Sequence, residues 1–425
     1  MRLCGIGQSY TGGTSLKILQ INNVYGSGST GKLTQVLHKK LQEDGFDSVV
    51  LYGRGQTAHE ENVYRICSNA YGKANSMASR ITGIRYGGCR QSTNRIIRLI
   101  RKEKPDIVHL QCINGNFVNI YKLITWLKES EIPTVLTLHA EFMYTANCGH
   151  AFDCEQWKTG CGQCPQLYNA TKSLYFDRTH ESHIKMADAF SGFDSRLSIV
   201  SVSPWLMERA KQSLVLSDKN HYVILNGVDT DIFHQRSVEQ LAEKHQVNHR
   251  TVIFHATAMF RDRPDDPKGG GFILQLARRL RDLPVLFFVA GKFDISGEIP
   301  DNVILLGEIR DQNLLAEYYS MADFTVLTSK RETYSMVCAE SLCCGTPVVG
   351  FCAGAPEMIA LPRYSSFVPN GDLDALEAQV RQWIMKKNES TSRQIEKAAQ
   401  AVYDKEIMIR QYEQLYRRIA CSGSN

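Results

Sequence analysis

The chain has 425 residues, 43% of them hydrophobic and 22% charged, with a mean hydropathy of −0.26 and a formal net charge of +5. That is the profile of a globular protein with large cores, long enough for two or three domains. It has no apolar run long enough to span a bilayer, and Met1–Gln8 lacks the apolar core of a signal peptide, so a cytosolic chain is expected.

In that compartment, thirteen cysteines argue against a disulfide framework, and most read as small buried hydrophobes. Residues 1–16 are Gly- and Ser-rich without periodicity and read as a loose leader. Lys17–Ile21 reads as a first buried strand. It runs into Gly26-Ser27-Gly28-Ser29-Thr30-Gly31-Lys32 and an amphipathic helix through Leu33, Val36, Leu37 and Leu41. Ser48–Tyr52 is the next strand. The glycine turn fits Gly-x4-Gly-Lys, but Leu33 stands where a P-loop needs a hydroxyl for Mg²⁺, and Thr34 is one place late. A turn that lets a diphosphate approach the backbone at Gly28 and Gly31, or a plain tight turn, are the other readings.

From Lys73 to Lys104 there are nine Lys or Arg and one acid, Glu103, with Ile96, Ile97, Leu99 and Ile100 supplying an apolar side. A solvated helix face is one reading. A surface that meets anionic lipid headgroups is the other, and nucleic acid fits less well because few aromatics are available for stacking. Pro105–Leu110 is a strand, Val118–Lys128 a helix, and Thr134–Leu138 a strand with His139 at its carboxyl end. Ligands of open α/β sheets bind beyond such ends. A satisfied structural histidine is the alternative.

Cys148, Cys154, Cys161 and Cys164 follow with spacing C-x5-C-x6-C-x2-C. Four grouped thiols suit one structural, tetrahedral Zn²⁺. Two labile disulfides or four ordinary thiols compete with that reading. Leu197–Ser203 reads as a strand with Pro204 opening a helix. Tyr222–Phe233 carries Asn-Gly-Val-Asp, and His234–Arg250 reads as linker and helix.

Thr251–His255 restarts the strand–helix rhythm. A loop with Arg261, Arg263 and Lys268-Gly269-Gly270-Gly271 comes next, where cations beside glycines fit a diphosphate clamp. An unliganded surface lysine is the plain reading of Lys268. Val285–Gly291 and Val303–Gly307 are further strands, followed by Glu308-Ile309-Arg310. After a buried strand at Phe324–Leu327 comes Arg331–Glu340, then a return to Pro347-Val348-Val349. Glu332 and Glu340 are eight residues apart. They bracket one ligand only with the first on a loop and the second on a helix. The amides of Tyr334, Ser335 and Met336 fall near that helix start, where phosphate is favoured.

The Glu332-x7-Glu340 pair with its following Gly-Thr-Pro-Val-Val resembles the donor site of GT-B glycosyltransferases. The resemblance is to the large retaining family 4, group 1, which includes sucrose synthase and the bacterial capsule, colanic-acid and O-antigen type enzymes. Asn226-Gly227-Val228-Asp229, Ala355-Pro356-Glu357, the Gly-Ser-Thr-Gly-Lys turn and the cysteine insert resemble the same group, so the likeness covers residues 17 to about 418. It implies an α/β, GT-B fold of two doubly wound Rossmann-like domains around an interdomain cleft. The N-terminal, acceptor-side domain would span 17–233 with the insert at 148–164. The nucleotide-sugar domain would span 234–403, and a helix at 404–420 would return to the first domain. It implies a retaining transfer from a UDP- or GDP-sugar to a saccharide acceptor, lipid-linked, in cell-surface polysaccharide synthesis at the inner face of the membrane.

In that reading Glu332 holds sugar hydroxyls, Glu340 ribose hydroxyls, and Ile309 lies beside the base. Lys268 with Arg261 or Arg263 neutralises the leaving diphosphate, and His139 lies near the transferred sugar. No catalytic metal is implied. The family places His-Asp where this chain has His139-Ala140-Glu141, and an arginine where it has Thr257. Another GT-B enzyme such as a sugar-nucleotide epimerase, or a non-catalytic zinc-containing binding module, remain alternatives.

Overall fold

A computed structural model describes residues 15–385 and 391–422, so the expected leader lies outside the described residues except for 15 and 16. The strands are β1 (Lys17–Asn22), β2 (Asp47–Tyr52), β3 (Val63–Arg65), β4 (Ile107–Leu110), β5 (Thr134–Leu138), β6 (Leu197–Ser201), β7 (Asn220–Val223), β8 (Thr251–Arg261), β9 (Val285–Asp294), β10 (Val303–Gly307), β11 (Phe324–Leu327), β12 (Val348–Phe351) and β13 (Ser365–Val368). They form two sheets, in the orders β3-β2-β1-β4-β5-β6-β7 and β10-β9-β8-β11-β12-β13. The pairs from β3 through β5 are parallel, as are all pairs of the second sheet. Both sheets are doubly wound, the GT-B pattern of two Rossmann-like folds. Helices cover both faces of such sheets, so the strands read as continuous apolar runs rather than alternating ones. In the second sheet Ile253, Phe287, Val326 and Val349 are fully buried, packed with Leu276 and Val380 from the covering helices.

By contact density the chain divides into two units. One holds residues up to Thr137, Gly162–Ile199 and the chain from Glu413. The other holds Leu138–Cys161 and Val200–Tyr412. The division falls at the carboxyl ends of β5 and β6. The last helix, Lys405–Ser422, has residues in both units. Within the second unit, Asn226–Asp229 is built around the start of that helix. A Cβ on Gly227 would lie 2.6 Å from Lys405 Cα, and Lys405 Nζ pairs with Asp229 at 2.7 Å and Asp231 at 2.9 Å.

Several elements differ from the sequence expectation. β3 is only three residues, too short to show a period. β8 continues past His255 to Arg261, because after a register shift it resumes pairing with β9 (Phe260↔Phe293, Arg261↔Asp294) and fully buries Phe260. The basic stretch is not one element. It forms helices Asn69–Thr82 and Arg90–Glu103, the first capped by Gly83 at φ 71°, where a Cβ would strike the carbonyl oxygen of Phe176.

Candidate functional site

The strand order of the second sheet reverses between β8 and β11, and loops leaving the carboxyl ends of strands at such a point form a crevice. Here the two loops are stitched together. Gly269 has φ 69° and lies so close to Thr328 O that no side chain fits. Thr328 Oγ1 donates to Lys268 O at 3.1 Å, and Lys330 N to Pro267 O at 2.9 Å. Lys268 Nζ consequently meets Glu332 Oε1 at 2.5 Å, with the two side chains 41% and 20% exposed. The Glu332 backbone is fixed by Glu332 N to Ala353 O (2.9 Å) and Ala355 N to Glu332 O (3.2 Å). Glu357 holds that neighbouring turn by accepting from the amides of Ala353 and Gly354 at 2.9 and 2.8 Å.

Glu332 stands on the loop and Glu340 on the helix Met336–Cys343 that follows. Ser335 caps this helix, its Oγ accepting from Cys338 N at 3.2 Å, and the helix's own ladder begins with Ala339 N to Ser335 O. The amides of Met336 and Val337 therefore lie at the helix start without intrahelical partners. Tyr334 serves as an anchor: its ring is buried and its hydroxyl donates to Asn226 O at 2.9 Å. Glu340 accepts from the Tyr319 hydroxyl at 3.2 Å. Burial, and then the charge of Glu340, raise the Tyr319 phenol well above its ordinary value, so it stays a donor.

His139 is tied to the same loop, its carbonyl accepting from Thr333 Oγ1 at 2.8 Å. Burial pushes its imidazole down to about 4, so it is neutral near pH 7. The chain from 141 to 161 is then held by contacts that spacing did not suggest. Glu141 is fully buried and accepts from Arg209 Nε (2.8 Å), the Tyr144 hydroxyl (2.6 Å) and Ala151 N (2.6 Å). Burial disfavours the Arg209 charge, but Glu141 and Tyr144 outweigh it and raise its pKa. Arg209 also lies over the rings of Trp157 and Trp205, at 4.6 and 5.0 Å. Arg331 packs on Trp205 from 5.6 Å and donates to Phe152 O at 3.1 Å. The residue preceding Glu332 thus clasps the insert. Nearby His150 has a buried Nδ1 without a hydrogen-bond partner.

Other expected residues are placed differently. Arg261 ends β8 rather than starting a loop. It lies 3.5 Å from Asp294 and 3.6 Å from the buried Asp266, while Arg263 pairs with Asp294 at 2.6 Å. Ile309 is half-buried between Glu308 and Arg310, which pair with each other at 2.8 Å. Gly28 and Gly31 belong to the first unit. Gly28 has φ 63°, Gly26 N bonds Gly31 O at 3.0 Å, and Thr34 Oγ1 is occupied with Thr30 O and Asn22 Nδ2.

Cys148, Cys154, Cys161 and Cys164 are all half-buried. Among the described residues no group of three or more Cys, His, Asp or Glu is arranged to hold a metal ion. Instead Cys161 Sγ donates to Thr145 O at 3.5 Å, the Cys148 and Cys154 carbonyls accept from Thr145 Oγ1 and Trp157 Nε1, and Cys164 N donates to Asp177.

Two family models match. "Glycosyltransferase Family 4" covers residues 31–232 and "Glycosyl transferases group 1" covers 251–386. A putative colanic acid biosynthesis glycosyl transferase, WcaC, of Escherichia coli K12 is 23% identical over 347 residues, 79% of this chain and 82% of that protein. N-acetyl-alpha-D-glucosaminyl L-malate synthase of Bacillus anthracis is 24% identical over 55% of this chain and 63% of its own length. Among solved structures, sucrose-phosphate synthase from Thermosynechococcus elongatus superposes with TM-score 0.68 at 14% identity, covering 96% of this chain and all of that one. Anabaena Alr3699/HepE, solved in complex with UDP, gives 0.63 at 14% identity, covering 95% of this chain and all of that one. At such identities the structural likeness establishes the GT-B fold alone.

Proposed function

We propose, for a chain that belongs to the family 4, group 1 glycosyltransferases, that it moves a sugar from a UDP- or GDP-sugar to a lipid-linked saccharide with retention at the anomeric carbon. Polysaccharide biosynthesis at the inner face of the cell membrane is the setting that fits, in keeping with the E. coli relative. Among the described residues no helix is long and apolar enough to cross a membrane. Contact with anionic headgroups through residues 73–104 would hold the enzyme beside its acceptor.

The observation that carries the donor assignment is the meeting of Lys268 and Glu332 at the sheet's switch point, with Glu340 two turns further on. In this reading Lys268 would neutralise charge growing on the leaving diphosphate, and the Met336 and Val337 amides would add to that field. Such fixed charge is the largest expected contribution to rate. Glu332 would accept from sugar hydroxyls and Glu340 from ribose hydroxyls. Neutral His139 would hydrogen-bond the transferred sugar. Arg261 and Arg263 would have to leave Asp294 to reach a phosphate. Retention would then follow from front-face displacement, in which the departing diphosphate assists the acceptor hydroxyl.

The test is nucleoside diphosphate release from a panel of UDP- and GDP-sugars, with and without saccharide acceptor. Acceptor-dependent release with a retained anomeric configuration is expected. Release of free nucleotide indifferent to acceptor would favour an epimerase-like reaction instead. A structural zinc on the four cysteines rests on their spacing alone. About one zinc per purified chain would establish it, and four titratable thiols without metal would dismiss it.

A further inference from the structure

The basic stretch and a loop nearly a hundred residues later form one surface within the first unit. On the helix Asn69–Thr82, Lys73, Met77, Arg80 and Ile81 recur at i, i+4, i+7 and i+8, so they share a face. Met77 and Ile81 are 51% and 43% exposed. The segment Lys172–Arg178 lies against the end of that helix. Leu174 N donates to Arg80 O at 2.8 Å, the Phe176 carbonyl abuts Gly83, and Arg85 Nη1 donates to the carbonyls of Ala170 and Thr171. The segment turns Tyr175 and Phe176 outward, 70% and 54% exposed.

An apolar ridge of this kind is unusual on a solvated surface, and Lys73, Arg80, Lys172 and Arg178 outnumber Asp177 and Glu181 around it. Among the described residues Lys73, Arg80 and Lys172 have no carboxylate within 4.0 Å. The acids nearest in sequence are already engaged: Asp177 accepts from Thr179 and Cys164 N, and Glu181 pairs with Arg178 and Lys185. Apolar and aromatic tips ringed by unpaired cations match the layering of a lipid leaflet, anionic at the headgroups and apolar just beneath.

We infer that this face, formed by Met77, Ile81, Tyr175 and Phe176 with Lys73 and Arg80, seats on an anionic membrane by inserting its apolar tips below the headgroups. The cations would supply attraction at a distance, and the tips would fix orientation and resist salt. The inference deepens the membrane part of the function proposed above, and it narrows the contact from the whole 73–104 stretch to one helix and one distant loop. The cations of the helix Arg90–Glu103 are in part committed elsewhere: Arg95 donates to Ile66 O at 2.8 Å, and Arg101 lies 5.6 Å over the Trp126 ring.

Co-sedimentation of the full chain with phosphatidylcholine vesicles, with and without phosphatidylglycerol, tests this without donor or acceptor. Its outcome is therefore independent of whether the sugar-transfer reading holds. Wild type should bind only the anionic vesicles. Tyr175→Ser with Phe176→Ser should weaken binding roughly tenfold or more and make the remainder salt-labile, and Lys73→Glu with Arg80→Glu should abolish it. Unchanged melting curves would show these variants folded. Absence of wild-type binding would overturn the inference together with the broader membrane contact. Binding lost on Arg98→Glu with Lys102→Glu but untouched by the Tyr175 and Phe176 changes would overturn the inference alone. Self-association dispersed by the same apolar substitutions, in place of vesicle binding, would assign the face to a second copy and overturn it as well.

Discussion

Replacing Lys268 by alanine separates catalysis from stability at the proposed donor site. In the structure its ammonium pairs with Glu332, and both side chains are partly solvated, at 41% and 20% exposure. A pair of this kind contributes no more than about 1 kcal/mol to folding, so the variant's melting curve should barely move. Against the leaving diphosphate of the proposed reaction the same charge would act directly on the negative charge that develops. There, loss of one fixed stabilising group typically costs about 3–4 kcal/mol, or roughly 10²–10³ in kcat. The assay is acceptor-dependent release of nucleoside diphosphate under saturating donor, for Lys268→Ala, Glu332→Gln and the double variant. The double variant should lose less than the sum of the singles, because each removal already disrupts the shared pair. A folded Lys268→Ala protein with kcat within about twofold of wild type would refute the assigned role, since no 3–4 kcal/mol stabilisation could then come from this group.

Other perturbations address the scaffold. Arg209→Ala strands the fully buried Glu141 and should cost about 3–5 kcal/mol in urea unfolding. Arg209→Lys should recover part of that, since it restores charge but not the stack on Trp157 and Trp205. Gly227→Ala places a methyl 2.6 Å from the Lys405 backbone and should cost about 1–3 kcal/mol, read as a lower melting temperature. In the first unit, burial and then Asp44 push the Glu413 carboxyl up to about 7. A group that binds its proton more tightly when folded contributes stability that is complete below about 4.5 and lost as pH rises through about 7. Discounted for solvent screening, that is about 1 kcal/mol, so Glu413→Gln should match wild type at acid pH and exceed it above neutrality. His139 runs the other way. Its depressed pKa, about 4, gives stability present above about 6.5 and lost as pH falls through 4, visible as a steeper acid limb than in His139→Asn.

Much of this arrangement was legible because it is local. An apolar run, a turn and a helix identify β11 and the helix after it, and the eight-position offset from Glu332 to Glu340 puts one on the loop and one on the helix. Lys268 was visible because glycine follows it, and the structure shows why: Gly269 lets the loop press against Thr328. What stayed hidden depends on residues far apart in the chain. Nothing in periodicity links Glu141 to Arg209, 68 positions later, or Arg331 to Phe152. Glu141 looked like a departure from a His-Asp pair, whereas its burial makes it the anchor of the insert. Arg261 was misplaced because the β8 register shift between Ala256 and Met259 disguises six further strand residues. The ridge at Tyr175 and Phe176 was missed for the same reason, since two short exposed apolar stretches join only when the chain folds.

The most direct measurement is calorimetric titration of wild type and Glu340→Ala with the activated sugar that the wild type accepts. The Glu340 carboxylate sits on a helix capped independently by Ser335, so its removal should leave the fold intact. Donor affinity should fall by about tenfold or more, the loss expected when ribose hydroxyls lose a charged acceptor. An unchanged donor Kd in the folded variant would contradict the placement of the nucleotide at the carboxyl ends of the second sheet.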